Sequence, residues 1–270
     1  MIRLKPSLLA TILAGFVALF LLMPLIAVVP VSFTPNRYLS LPGGTWSLRH
    51  YQALLDNPAW GQGIWLSVRI GLVTSVIATS LAALFALGIW MLRPRFAGLY
   101  MGLALMPMVA PPVVSALTLY FFLTTLGQWN GVVGYDTFFG VVMAHVVMVA
   151  PFAVVLLSVA LGQVDRRIDL AARSMGAGLG RRIFGVILPN IRFGLITAFF
   201  LTFVLSWEEI GVTLFITSVN AVTLPRMMWM GLRDNIDPAI AAISVVLIAI
   251  VVLVVLVRTA VALRQGRSET

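Results

Sequence analysis

Asp165-Arg-Arg-Ile-Asp-Leu-Ala-Ala-Arg-Ser-Met-Gly176-Ala-Gly-Leu-Gly-Arg-Arg-Ile-Phe-Gly-Val-Ile-Leu-Pro189 is a charged island in an apolar chain. From Arg166 to Met175 helix formers dominate, and Gly176 stands where a helix C-cap takes positive φ. Leu179 to Ile187 carries a second short helical pattern. Pro189 ends it and opens the next segment, since a proline is tolerated in a first helical turn. The stretch therefore reads as a helix–glycine–helix elbow. On its first helix Ile168, Ala171, Ala172 and Met175 fall at i, i+3, i+4 and i+7 and form one apolar face, flanked by Arg166, Arg167, Asp169 and Arg173. Two readings fit that face. It packs on the protein's own helices or the membrane interface, or it docks, as a knob with small residues at its centre, into a partner's groove.

On either side of the island lie runs long enough to cross a bilayer, which takes about 20 mostly apolar residues. Six such runs occur, at about 8–31, 64–92, 98–123, 138–161, 191–216 and 239–257. The composition agrees: 270 residues, 61% hydrophobic and only 10% charged, with a mean hydropathy of +1.05. A soluble domain carries about 25% charged residues. The fold class expected is an all-α polytopic membrane protein with six transmembrane helices. Arg3 and Lys5 precede the first run in the manner of a signal peptide. That run exceeds an h-region of about 7–15 residues and no A-x-A site follows it, so it reads as an uncleaved first helix.

Lys and Arg set the orientation. Thirteen lie on one side: Arg3, Lys5, Arg93, Arg95, the elbow set from Arg166 to Arg192, and Arg258, Arg264 and Arg267; four, Arg37, Arg49, Arg226 and Arg233, lie on the other. Both termini and the elbow are thus expected in the cytoplasm, and the net charge of +9 is mostly this bias rather than a nucleic-acid surface. There is no cysteine and a single lysine, Lys5. Disulfides, thiolate metal sites and a Walker A loop, which needs Gly-Lys-Ser/Thr, are excluded. No catalytic, cofactor or metal residue is assigned. The outer connection 33–63 holds a short amphipathic helix from Ser47, read as its N-cap, to Asp56. The outer segment 217–237 is too polar to span. Its Arg226, Arg233, Asp234 and Asp237 either meet an external protein or are ordinary solvated charge.

With the elbow and six runs in place, a family resemblance emerges. Permeases of binding-protein-dependent ABC importers carry a cytoplasmic loop of the form Glu-Ala-Ala, three residues, Gly, nine residues, Ile, one residue, Leu-Pro. This chain has Ala171-Ala172, Gly176, Val186 and Leu188-Pro189 at that spacing. The family's glutamate falls on Leu170, with Asp169 one residue earlier. The resemblance covers most of the chain, from the segment around Trp46 and Tyr51 onward. It implies a single permease domain over 1–270 in the bacterial cytoplasmic (inner) membrane. It also implies a coupling loop, 163–190, in which Asp169, Leu170, Ala171, Ala172, Arg173, Gly176, Leu188 and Pro189 engage a separate cytoplasmic ATPase dimer. ATP-driven dimerisation of the ATPases then moves two permeases between inward- and outward-open states. A second, non-identical permease, an external or periplasmic solute-binding protein and the lipid bilayer complete the partners.

Polar groups at membrane depth mark function. Ser206-Trp207-Glu208-Glu209 falls in run five. Entering near Arg192, Glu208 lies about 24 Å along a helix at ~1.5 Å per residue, in the outer part of a core about 30 Å thick. Helix neighbours point about 100° apart, so the two carboxylates do not share one direction: one faces a path while the other pairs with protein; Trp207 offers a cation–π face. Equally, Arg69 in run two lies at similar depth and can neutralise either glutamate. His145 reads as an interhelical hydrogen-bonding residue, and Pro107, Pro111, Pro112 and Pro151 as kinks. Met101, Met106, Met108, Met143 and Met148 read as gap-filling core.

Within the family, Leu205-Ser-Trp-Glu-Glu-Ile-Gly, Thr223-Leu-Pro225 and Asp237-Pro-Ala-Ile-Ala-Ala241 are similar to the spermidine/putrescine-type second permease. That resemblance implies a polyamine path bordered by Trp207, Glu208 and Glu209. Other small solutes within the family, an autonomous secondary transporter or channel, and an intramembrane enzyme using Glu208, Glu209 and His145 are the rivals. Against the last, neither G-x-S-x-G nor H-E-x-x-H occurs.

Overall fold

The computed structural model describes residues 8–234 and 237–267. Arg3, Lys5, Asn235 and the side chains of Asp234, Arg264 and Arg267 lie outside the described residues. All regular structure among those residues is helical: α1 Leu8–Ser32, α2 Arg49–Asp56, α3 Pro58–Leu92, α4 Ala97–Val109, α5 Pro112–Gly127, α6 Phe138–Gly162, α7 Arg166–Ser174, α8 Leu179–Arg182, a π-turn Ile183–Ile187, α9 Leu188–Asn190, α10 Arg192–Trp207, α11 Thr213–Ile216, α12 Leu224–Asp234 and α13 Ala239–Arg267. Four helices (α1, α3, α6 and α13) are long and apolar enough to cross a membrane unaided. Two further candidates are bent pairs, α4 with α5 at 97° and the segment Leu179–Asn190 with α10 at 74°.

The third run is therefore not one helix. Ala110 and Pro111 each precede a proline, whose ring drives the preceding residue out of the α region. Both are extended, with ψ of 137° and 132°, and the chain turns there. Pro107 and Pro151, by contrast, sit inside α4 and α6 without ending them. The fifth run also differs from expectation: its helix stops at Trp207 rather than near residue 216.

Two compact units form, one from the chain up to Gly61 with the chain from Met228 on, the other Gln62–Met227. In the first, α13 packs on α1 and on α2. The connection after α1 folds on its own polar groups. Tyr51 OH meets Ser32 Oγ at 2.7 Å, and His50 Nε2 meets the Asn36 carbonyl at 2.9 Å. Phe33 stands against Trp46 and Tyr51. α2 starts one residue later than Ser47 as N-cap would place it: Leu48 is the cap residue, and the Ser47 hydroxyl accepts from Arg49 N instead.

In the second unit α6 is the central element, with α10 and α4 packed along it. Ala78, Ala82 and Ala86 on α3 are spaced four apart and all buried, the small-residue stripe that lets apolar helices approach closely. α10 approaches α6 through Gly194, where an added Cβ would lie 2.6 Å from Ala160 Cβ. Hydroxyls bridge elements: Ser67 Oγ accepts from Leu224 N at 2.8 Å, and Thr79 meets Thr202 at 3.4 Å, while Thr74 Oγ1 and Ser158 Oγ are buried without a hydrogen-bond partner.

Candidate functional site

The elbow takes the shape its residues dictate. Asp165 caps α7 by accepting from Arg167 N at 2.9 Å. Gly176 adopts φ +80° with open space around its missing Cβ, so glycine is needed there for backbone freedom, not for room. Pro189 has no N–H to continue the ladder, and Leu188 N reaches back five residues to the Ile183 carbonyl, which makes the π-turn. The helical path runs on through Pro189 and breaks at Ile191. The bend thus sits two residues beyond the proline expected to make it. Asp169 closes the elbow with a bidentate pair: Arg182 Nε donates at 2.8 Å and Nη2 at 2.6 Å. The Arg182 hydrogen bonds hold the Asp169 carboxyl below the usual aspartate range against the opposing effect of burial, and the charges of Arg182 and Arg173 add to the lowering.

Of the predicted coupling residues, Ala172 is buried while Leu170, Ala171, Arg173, Gly176 and Pro189 are exposed and Leu188 is half-buried. Of the apolar face read from the spacing, Ala172 alone turns inward, while Ile168, Ala171 and Met175 stay exposed. Ile168 is 42%, Leu170 57% and Met175 81% exposed. Arg166 lies over the Trp90 ring at 5.1 Å, tying the start of α7 to the end of α3.

The second site lies where α10 ends. Glu208 is the C-cap residue, and the chain turns through Gly211 into α11. Glu209 Oε1 accepts from Val212 N at 2.9 Å. Helical phase no longer separates the two carboxylates. Glu208 and Glu209 border one cleft of about 240 Å³, with Pro107, Met108, Ala110 and Pro112 of the α4–α5 break and Met148, Val149 and Phe152 of α6. Both interrupted helices therefore meet at this cleft. Trp207 is not among its lining residues; it stands against Phe203 at 6.1 Å. Arg69 forms no ion pair with either glutamate, and its guanidinium lies over Phe138 at 5.0 Å.

His145 is 1% exposed and fulfils the interhelical expectation. Nδ1 meets Ser206 Oγ at 2.8 Å and Nε2 meets Thr213 Oγ1 at 2.9 Å. No group of three or more His, Cys, Asp or Glu is placed to hold a metal among the described residues.

Sequence reasoning missed Asp136 altogether. In the connection between α5 and α6 it adopts φ +57°, and its carboxylate accepts from the backbone N–H of Ser218, Val219, Asn220 and Ala221 at 2.7–3.1 Å, and from Asn220 Nδ2. Burial raises its pKa, the four backbone donors lower it, and the net direction is down. Its own N–H donates to the Ile216 carbonyl at 2.9 Å. Asp237, expected at an external contact or in solvent, accepts from Ala239 N at the start of α13.

Residues 75–267 match the family described as binding-protein-dependent transport system inner membrane component. The chain is 28% identical over 247 residues to the putrescine transport system permease protein PotI of Escherichia coli (strain K12), covering 90% of this chain and 86% of that one. It is 31% identical over 209 residues to a probable molybdenum ABC transporter permease protein of Haloferax volcanii, covering 75% and 77%. Its fold matches the crystal structure of a bacterial ABC transporter involved in the import of the acidic polysaccharide alginate, with a TM-score of 0.62, 16% identity and 94% of each chain covered.

Proposed function

Because the chain belongs to the family of inner-membrane components of binding-protein-dependent transport systems, a multi-pass permease whose ATP hydrolysis resides in a separate subunit, we propose that it conducts a small organic cation of the polyamine kind, such as putrescine or spermidine. In this reading all 270 residues act as one six-span permease domain, and two copies of the ATPase and an external binding protein serve a pore shared with a second, non-identical permease. The observation that carries the substrate class is the cleft at the end of α10, where two carboxylates border one opening inside otherwise apolar helices. Carboxylates at such depth are costly unless they meet cations or water.

The elbow supplies the energy input. Ile168, Ala171 and Met175 leave apolar side chains exposed along α7 and its C-cap, and Gly176 sets the turn behind them. Asp169 acts within the chain, bracing α7 against α8 through Arg182. Leu170, where the family's glutamate stands, adds apolar contact to the ATPase instead of a charge. Leu188 and Pro189 carry the movement of α7 into α10.

An oxyanion is the second reading, raised by the molybdenum permease among the relatives. Two carboxylates at the cleft repel an anion, which favours the cation. Uptake by the complete importer in proteoliposomes separates the two. Glu208→Gln with Glu209→Gln is expected to reduce putrescine uptake about tenfold or more, as loss of a desolvated charge contact does, while the complex still assembles. Unchanged putrescine kinetics in that double variant, or molybdate uptake by the unaltered importer, overturns the polyamine assignment.

A further inference from the structure

We propose that His145 is a positioning residue: it pins both ends of the break after α10 and so sets where Glu208 and Glu209 stand. The inference rests on the reading of those glutamates as the cation path. The hydrogen bonds fix how the ring must act. Thr213 Oγ1 donates its one proton to the Glu209 carbonyl at 2.8 Å, so it must accept from His145, and Nε2 carries the hydrogen. In the neutral ring Nδ1 is then the acceptor for the Ser206 hydroxyl. One side chain therefore holds residue 206 before the break and residue 213 after it. The six residues between include both glutamates. The bonds to Glu209 continue inward: its carbonyl is tied to Thr213, and its side chain accepts from Val212 N.

The same helix supplies one wall of the cleft. Met148, Val149 and Phe152 border the cleft and stand three, four and seven residues after His145, on one face of α6. The face that pins the glutamates is thus continuous with a face that borders the cleft beside them, and the α4–α5 break supplies the rest of the lining. Gly211 leaves room for this. A Cβ there would lie 3.3 Å from Glu209 Oε1 and 3.9 Å from Pro112 Cβ.

The chain has no cysteine, so a single Glu208→Cys reports the position of the break directly. In the full importer complex in membranes, its rate of modification by a cationic methanethiosulfonate is compared with that of Gln128→Cys in the α5–α6 connection. His145→Leu keeps the bulk and removes both bonds. It is expected to change the rate at 208 by about tenfold, as release of two buried hydrogen bonds does, and to leave the rate at 128 within about twofold. His145→Gln, whose amide offers one acceptor and one donor, is expected to restore the rate at 208. If His145→Leu does not fold, Ser206→Ala removes one bond and is expected to shift the rate about threefold. An unchanged rate at 208, equal shifts at both positions, or no recovery with glutamine overturns the pin. A shifted rate at 208 together with normal putrescine uptake in the Glu208→Gln, Glu209→Gln variant overturns the path reading alone and leaves the pin standing.

Discussion

The chain interrupts its helices beside functional residues at the elbow around Gly176 and again after Trp207, and opposite means hold the two places. At the elbow a left-handed glycine makes the turn, and a partly exposed ion pair, Asp169 with Arg182, closes it. After Trp207 no charge pair is used. A buried imidazole, two hydroxyls and a backbone carbonyl form a chain of hydrogen bonds. The difference follows from solvent. Near water an ion pair is inexpensive, tolerates movement and weakens with salt. At membrane depth an unmatched charge is costly, and pairing a buried donor with an acceptor removes most of that cost. A hinge that has to flex can be charged, whereas a fixed point inside the membrane is best kept neutral.

That contrast breaks most sharply if a charge is moved to the wrong place. His145→Asp puts a carboxylate where the structure holds a buried imidazole bonded at both nitrogens. It is expected to destabilise the protein by about 3–5 kcal/mol, seen as loss of monodisperse complex on size exclusion after mild heating. A stable His145→Asp complex would mean the break is wet rather than buried. At the elbow the largest effect should come from the backbone. Gly176→Ala forces a side chain into φ +80° at a cost of about 1 kcal/mol and is expected to reduce transport-coupled ATP hydrolysis. Gly178→Ala, at ordinary φ with open space around it, serves as the neutral control. Arg182→Gln should have the smallest effect, visible as faster amide exchange over 166–182 at low salt and fading as salt rises. The Asp169 carboxyl is held below its usual range. Its contribution is therefore complete above the ordinary aspartate pKa and lost as pH falls through the lowered value. A contribution that instead vanished on raising the pH above neutrality would contradict the pairing.

Much of the elbow was legible because its determinants are local. A glycine needing positive φ, a capping aspartate and a proline at fixed spacing act through their own backbone. The Pro111-Pro112 interruption was legible for the same reason, though a kink was expected where the chain turns by 97°. The stop at Trp207 was not. Leu205 to Ile210 reads as ordinary helix, and the bonds that hold the stop come from His145, about sixty residues away in sequence. Of the two readings of the glutamates, the one that paired them with Arg69 is not realised: the guanidinium lies over Phe138 on α6, a contact that sequence spacing does not show. Trp207 followed the same pattern, its ring claimed by Phe203 one turn back on its own helix. Asp136 was the least legible residue of all. Its partners are backbone N–H groups 82 to 85 residues further on, and a peptide N–H leaves no mark in a sequence.

Those same bonds make Asp136 a rivet. The connection that follows α5 and the turn that follows α11 are joined by a carboxylate at its hydrogen-bonding capacity, reinforced by the Tyr135 hydroxyl on the Thr217 carbonyl. The two turns therefore travel as one plate through whatever cycle the permease runs, and relative motion has to arise elsewhere. Spin labels at Val132 and Val219, both exposed, should keep a single separation with and without nucleotide. They would serve as a fixed ruler against which the displacement of α7 can be read.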